Sequence, residues 1–239
     1  MRVRVSNRKE GKMFYPVSDT PSAAKAGEKD ITAPGIPENL AEDELTGTDF
    51  TDDEVISEHR SAGTFIEDVS ADHISLERSV FEGCTFRNVS FRGIDMKDVR
   101  FTDCNLSNVD FGRAIIHKTV FSGCNLTGID LREATFRSVV FENCIARYSF
   151  FRSSNFDRAA FRSCRLENAD FQQTGLTRMF FSMSNLTQIQ LSGTPLKGID
   201  LCTCNIDGLG ARMEDLTGAV VSPAQAVELA KMMGVIVKM

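Results

Sequence analysis

One apolar position recurs every five residues from Ile66 to Ile206, and no insertion breaks the register over that stretch. Every fourth member of the series from Phe81 to Phe181 is a phenylalanine. The position two residues before each large side chain is small or β-branched, as in Val89 and Ile94. A period of five fits neither an α-helix nor a plain β-strand. It predicts a chain that turns a corner every five residues and buries one large and one small side chain on each side.

Cysteines give the number of sides. Cysteine recurs every twenty residues, with Ser184 filling the one gap, at Cys84, Cys104, Cys124, Cys144, Cys164 and Cys204. Twenty residues therefore return the chain to the same side, which means four five-residue sides per coil and about eight coils. Stacked coils would pair as parallel strands about 4.8 Å apart. The predicted fold class is all-β, a four-sided parallel solenoid.

Two segments carry a resemblance to a known family. Residues 104–108 read Cys-Asn-Leu-Ser-Asn and residues 124–128 read Cys-Asn-Leu-Thr-Gly. Both match the repeat of the pentapeptide-repeat proteins: a small residue, Asp or Asn, Leu or Phe, then two polar residues. The resemblance covers residues 64–221 and implies a right-handed quadrilateral β-helix. We expect an irregular N-terminal extension over 1–45, the solenoid over 46–221 and a cap over 222–239.

The C-terminal segment predicts a short capping α-helix. Ser222 and Gln225 read as a capping box, Pro223 suits the first helical position, and Gly234 is expected to end the helix. A short strand is predicted over 235–237. The segment resembles the chain end of Qnr-type quinolone-resistance members, which implies a homodimer. The candidate dimer contacts are Ala226, Leu229, Ala230, Met233, Val235 and Val237.

The same resemblance implies a partner: Qnr-type members bind DNA gyrase and topoisomerase IV as mimics of duplex DNA and protect them from quinolones. The charge of the repeat region fits this less well. Residues 64–221 hold nineteen Asp and Glu against seventeen Lys and Arg, and the side centred on Leu76 and Met96 is basic. A mimic of DNA should present phosphate-like acidity. Two functions therefore stay open: a topoisomerase binder, and a scaffold for another protein.

The outward positions contain two apolar groups that predict a protein contact. The first, called here the apolar stripe, runs along one side of the rod and comprises Val80, Val120, Val140 and Phe180. The second, the aromatic patch, comprises Ile145, Tyr148 and Phe150 near the middle of the rod. Contiguous exposed apolar surface usually marks a contact. For the stripe, the alternative is cover by the N-terminal segment, for instance by Met13 and Phe14.

Nothing in the sequence predicts catalysis. The cysteine column would point its thiols in parallel rather than converge on a metal, so buried free cysteines are expected, with only Cys202 facing outward. His59, His73 and His117 share no motif with a nucleophile, and no phosphate-binding loop is present. We expect no enzyme activity, no cofactor and no metal. The acidic balance, the lack of a long apolar run and the free thiols predict a cytoplasmic protein with no direct nucleic-acid or membrane binding.

Overall fold

The five-residue period arises from a left-handed backbone turn at each corner. The computed structural model describes residues 28–42, 45–232 and 234–238. Positive φ values recur at five-residue intervals, for example 52° at Asn88, 61° at Gly83 and 55° at Tyr148. Asn, Asp and Gly tolerate this conformation best, but Glu, Gln, Arg, Lys, Ser, His, Tyr and Met also occupy corners here. Each corner turns an extended segment, so the chain closes a square after four corners.

Short parallel strands form the sides. The elements are β1 (Val55–Ser57), β2 (Arg60–Ala62), β3 (Phe65–Ser70), β4 (Ser75–Glu77), β5 (Val80–Glu82), β6 (Thr85–Ser90), β7 (Asp95–Lys97), β8 (Arg100–Thr102), β9 (Ile115–Ser122), β10 (Thr135–Glu142), β11 (Asn155–Arg162), β12 (Gly175–Ser182) and α1 (Pro223–Met232). All pairing is parallel and in a register of twenty residues, as in Phe136 opposite Ile116 and Phe156.

Four ladders define four sides. The first side carries the order β1-β4-β7-β9-β10-β11-β12. The second side carries β2, β5 and β8, and β8 pairs with β9, which is long enough to lie on both sides. The third and fourth sides are held mainly by single bridges at twenty-residue steps, such as Asn105 with Asn125 and Asp110 with Asp130. The fold prediction is thus confirmed: the chain is a parallel β-solenoid with one C-terminal helix.

The regular ladder is shorter than predicted. Its seven strands on the first side make about six turns, against the eight coils expected from the sequence. The reason is Pro195, which stands where Asn155 and Gly175 donate their N–H groups to the preceding coil. Proline has no N–H to donate, so the ladder of the first side stops at β12. Beyond it, among the described residues, the coils are held by bridges such as Asp200 with Val220.

The interior is filled by stacked side chains. Phe101, Phe121 and Phe141 lie parallel with ring centroids 5.1 Å and 4.9 Å apart, and each is almost fully buried. On the neighbouring third side, the thiols of Cys84, Cys104, Cys124, Cys144 and Cys164 each lie over a backbone carbonyl of the preceding coil, as Cys104 Sγ lies 3.3 Å from Phe81 O. The cysteine column predicted from the sequence is therefore present.

The two ends close the core differently. At the N-terminal end, Phe50 stacks on Phe91 at 4.9 Å and fills the space left by the small Ala71. At the C-terminal end the capping box is formed, since Ser222 N donates to Gln225 Oε1 at 2.8 Å. The predicted strand over 235–237 is wrong: these residues follow the helix as an exposed segment without strand pairing. A strand needs a neighbour to bond to, and within the described part of this chain no strand lies beside them.

Candidate protein-interaction surfaces

The aromatic patch lies at the corner between the third and fourth sides. Tyr148 occupies the corner itself and is 57% exposed, Ile145 lies before it on the third side, and Phe150 follows on the fourth. Phe150 is 42% exposed and lies beneath the guanidinium of Arg132, whose central carbon is 5.8 Å from the ring centroid. The backbone of Tyr148 has a positive φ, and its bulky ring projects from a convex edge of the rod. There the ring can enter a concave surface of another protein.

The patch interrupts two structural ladders. On the third side, Asn105, Asn125 and Asn185 accept the N–H two residues ahead through their side-chain oxygens at 3.1–3.2 Å. Ile145 occupies the same column and, like Arg165 after it, has no side-chain oxygen to accept such a bond. These turns, in which a side chain caps the backbone locally, stabilise a corner. The coil that carries Ile145 forgoes that contribution on the third side.

The fourth side repeats the pattern. Asp110, Asp130 and Asp170 accept the N–H two residues ahead at 2.8–3.0 Å. Phe150 stands between Asp130 and Asp170 in this column and cannot do so. One coil thus loses both turn-stabilising acceptors and exposes three large side chains instead. Departures from a local rule with no structural compensation are expected at functional sites.

The apolar stripe is largely covered. Val80 and the intervening Ala160 are buried although both occupy outward positions of the second side, and Val120, Val140 and Phe180 are half-buried. The segment 28–42, called here the N-terminal arm, runs beside these positions. Its 3₁₀ helix Glu28–Asp30 packs against β11, and Ala41 pairs with His59 near the start of the rod. Met13 and Phe14, also considered as cover, lie outside the described residues.

The candidate dimer contacts divide into two groups. Leu229 packs against the solenoid core and Ala230 is half-buried, so both contribute to the cap. Ala226 is exposed, as are Val235 at 49% and Val237 at 36%. Met233 lies outside the described residues. The exposed group is available to a second molecule.

Gln225 was chosen from the sequence only for the capping box, but it also closes the rod. It is buried, and its amide nitrogen donates to the carbonyl oxygens of Leu201 and Cys204, each at 2.8 Å. These carbonyls lie near the C-terminal end of the solenoid. One side chain therefore joins the helix to the open end of the solenoid.

Charged side chains are mostly paired along the rod. Asp110 is held by Arg92 at 2.9 Å, Asp170 by Arg152 at 2.9 Å, and Asp130 by Arg132. Although partial burial acts in the opposite direction, the hydrogen bonds from Arg132 lower the pKa of Asp130. On the first side, burial, followed by the charges of Lys118 and Arg137, lowers the pKa of His117. The aspartate column of the fourth side is therefore neutralised by arginine at these three positions.

Chemistry-bearing groups do not converge. Among the described residues, no group of three or more His, Cys, Asp and Glu could hold a metal ion. A shallow depression of about 410 Å³ lies along the corner of Asp68 and Asn88, and its lining is polar. Within the same residues, no helix has the length and apolar character needed to cross a bilayer.

Comparison with known families agrees with this geometry. Residues 74–151 and 94–171 match the model of the pentapeptide repeat region. Residues 74–171 therefore form a pentapeptide-repeat region. The matched residues lie within the part of the solenoid where the twenty-residue register is most regular.

Several solved structures are similar to this chain. Two trypsin-treated variants of QnrB1, described as a plasmid-mediated fluoroquinolone resistance protein, are 18% and 19% identical with TM-scores of 0.46 and 0.48. Each comparison covers 82% of this chain, and 99% and 98% of the QnrB1 chains. HetL from Nostoc sp. strain PCC 7120, described as involved in heterocyst differentiation regulation, is 13% identical with a TM-score of 0.40 over 68% of this chain and 88% of its own. No curated protein matches the sequence.

Proposed function

We propose that this pentapeptide-repeat protein is a non-catalytic protein-interaction module that binds its partner through the aromatic patch. The observation that carries the proposal is the coil of Ile145, Tyr148 and Phe150, which gives up two turn-stabilising acceptors and exposes apolar side chains instead. Aromatic residues and arginine are enriched among the residues that dominate protein–protein binding energy. The filled interior supports the non-catalytic part, because it leaves no axial cavity for a substrate.

The partner should present a concave apolar site with an acidic rim. Four arginines surround the patch, namely Arg132, Arg147, Arg152 and Arg165, against three carboxylates, namely Asp130, Glu167 and Asp170. The surroundings are therefore slightly positive. Acidic rim residues on the partner would steer association without adding much to the affinity.

A photo-crosslinking amino acid placed at residue 148 tests this proposal in cells. A matched control carries the same amino acid at Gln188, an exposed position on the same corner two coils further along. The proposal expects a discrete protein adduct from position 148 that disappears when Phe150→Asp is added. Equal adducts from both positions, or an adduct that survives Phe150→Asp, would overturn it.

The most concrete partner that we propose is a type II topoisomerase, DNA gyrase or topoisomerase IV, protected in this way from quinolones. This part rests on the resemblance of the repeats and of the chain end to Qnr-type members, not on the surface charge. The pairing of Asp110, Asp130 and Asp170 with arginines argues against mimicry of a phosphate backbone. The buried free thiols of Cys84, Cys104, Cys124, Cys144 and Cys164 fit the reducing cytoplasm in which such a partner works.

A gyrase supercoiling assay with and without a quinolone tests that partner. The wild-type chain should restore supercoiling in the presence of the drug, and Tyr148→Asn should lose most of that effect. If the wild-type chain does not change supercoiling by gyrase in the presence of the drug, the topoisomerase is not the partner. The crosslinking experiment then still tests whether the aromatic patch binds a protein.

We also propose that the chain has three parts, an N-terminal extension, the solenoid and a C-terminal cap. The exposed C-terminal segment of the cap forms a homodimer. Val235 and Val237 are exposed, with Ile236 between them at 86%, and an unpaired extended segment of this kind gains most by bonding to a second copy. Sedimentation equilibrium should give a dimer for the wild type and a monomer for Val235→Asp. A wild-type monomer at micromolar concentration would contradict the proposal.

A further inference from the structure

The N-terminal arm is attached along the rod at three separated points. Glu28 Oε2 lies 3.4 Å from Arg162 Nη2, Gly35 N donates to Asp98 Oδ1 at 2.7 Å, and Ala41 pairs with His59. These partners belong to successively earlier coils, so the arm runs opposite to the direction in which the coils are stacked. It follows the corner between the first and second sides, diagonally across the rod from the aromatic patch.

The arm covers a groove with a charged end and an apolar floor. Glu28 and Arg162 are 4% and 15% exposed, and the nearby Arg158 has a buried Nε atom without a hydrogen-bond acceptor. Ala160 and Ser138 point outward but are buried under this segment, and Val140 is half-buried. A carboxylate at the position of Glu28 thus meets the guanidinium group of Arg162 beside a floor of small and branched side chains.

The arm makes few backbone bonds between its two ends. Pro34 and Pro37 have no N–H, so this stretch cannot add to the sheet as a regular strand. Over residues 31–40 of the described chain, Gly35 to Asp98 is the one hydrogen bond to the rod. Ile31, Ile36 and Leu40 are only half-buried. A segment held in this way can leave its groove without unfolding the solenoid.

The buried ion pair points to recognition more than to stability. Desolvation of two buried charges offsets most of their attraction, so such a pair adds little net stability. Removing one member, however, leaves a buried charge without compensation. The pair therefore specifies which chain segment occupies the groove and in which position.

We propose that this groove is a second protein-binding surface, which accepts an extended acidic segment of a partner in place of the arm. The partner's carboxylate takes the position of Glu28 against Arg162, and a backbone N–H further along bonds to Asp98. The arm is the resident occupant, and because it is covalently attached it competes at an effective concentration in the millimolar range. A partner binds when the arm is released, and this inference goes beyond the proposed role of the aromatic patch.

A labelled synthetic peptide of residues 28–42 tests the groove with the full-length chain. The arm is loosened by Glu28→Gln combined with Gly35→Pro, which removes the carboxylate and the N–H but leaves the rod unchanged. We expect the peptide to bind the loosened chain at least tenfold more tightly than the wild type, as measured by fluorescence anisotropy. The matched control is Glu38→Gln, which changes an exposed arm carboxylate and should behave as the wild type.

A charge exchange makes the test specific. Arg162→Glu, added to the loosened chain, should abolish binding of the natural peptide, and a peptide with Arg in place of Glu28 should restore it. Thermal unfolding at an unchanged midpoint shows that the rod is intact in each variant. Equal affinity of the peptide for the wild-type and loosened chains, or no rescue by the exchanged peptide in a folded variant, would overturn the proposal.

Discussion

The cysteine column shows how single residues hold the interior. Each thiol lies beneath the next coil with its hydrogen directed to a backbone carbonyl, as Cys124 Sγ lies 3.5 Å from Phe101 O. Ser184 takes the same place with an oxygen, 3.3 Å from Phe161 O. The column therefore requires a small side chain that can donate a hydrogen bond, and cysteine meets this requirement while remaining largely apolar.

Thiol reactivity should separate Cys202 from the column. The hydrogen bond with the Cys124 thiol, followed by burial, raises the pKa of Cys104 to about 12, whereas Cys202 is exposed. The thiolate is the reactive species, so the column should be inert. Alkylation of the folded chain at pH 8, followed by peptide mapping, should label Cys202 alone, and denaturation should make all seven cysteines reactive. Rapid labelling of Cys104 in the folded chain would contradict the packing described.

Alkaline pH should destabilise the fold through the same thiols. The pKa of Cys104 is about 12 in the folded state and about 8.5 in the unfolded chain. The contribution of the neutral thiol to stability is therefore complete below about pH 8.5 and is lost as the pH rises towards about 12. The free energy of unfolding should therefore fall between these limits. Cys104→Ser is the matched control, since Ser184 shows that the position accepts a hydroxyl, and its fall should be smaller. An identical pH profile for both chains would count against this account.

The phenylalanine stack should be sensitive to truncation. Phe141 lies between Phe121 at 4.9 Å and Phe161 at 4.4 Å and is fully buried. Phe141→Ala should lower the free energy of unfolding by about 3–5 kcal/mol, because it leaves a cavity that rigid neighbouring coils cannot fill. Phe65→Ala removes a ring that is 51% exposed and should cost less than about 1 kcal/mol. Denaturant titration measures both, and similar losses would contradict the structure.

At the scale of elements, the capping helix depends on one buried amide. Gln225→Ala removes two buried hydrogen bonds, to Leu201 O and Cys204 O, that join the helix to the solenoid, and should destabilise the chain by about 1–3 kcal/mol. Glu228→Ala, which removes an exposed pair with Lys231, should change stability by less than about 0.5 kcal/mol. Hydrogen exchange should show the extra opening of Gln225→Ala in the last coil. Unchanged exchange there would mean that the helix does not hold the end closed.

At the scale of the whole molecule, the sequence predicted what depends on local repetition. Each coil repeats the pattern that predicts the corner at every fifth residue and the twenty-residue register. The capping box at Ser222 follows from a local pattern within four residues. The number of regular turns was overestimated, because the period continues through Leu196 while Pro195 removes the ladder bond. The short strand over 235–237 was wrong, since a strand depends on a neighbour that its own residues do not specify.

The contacts of the arm could not be predicted for a different reason. Glu28 and Arg162 are separated by 134 residues, and the arm has no repeat that would indicate its partner. The paired state of Asp110, Asp130 and Asp170 was also hidden, because it depends on which arginines reach them from neighbouring positions. The apolar stripe and the alternative that the N-terminal segment covers it were visible in the sequence, but the contacts by which residues 28–42 lie on the rod were not.

One stability measurement tests the central claim that the aromatic patch serves binding and not folding. The variant Ile145→Asn, Tyr148→Asn, Phe150→Asp gives this coil the residues found at the same positions in neighbouring coils. It should restore two turn hydrogen bonds worth about 0.5–1.5 kcal/mol each and relieve a bulky residue at positive φ. The account predicts a higher midpoint of denaturant unfolding than for the wild type. A free energy of unfolding lowered by about 1 kcal/mol or more relative to the wild type would show that the three side chains are structural. That result would contradict the proposed contact.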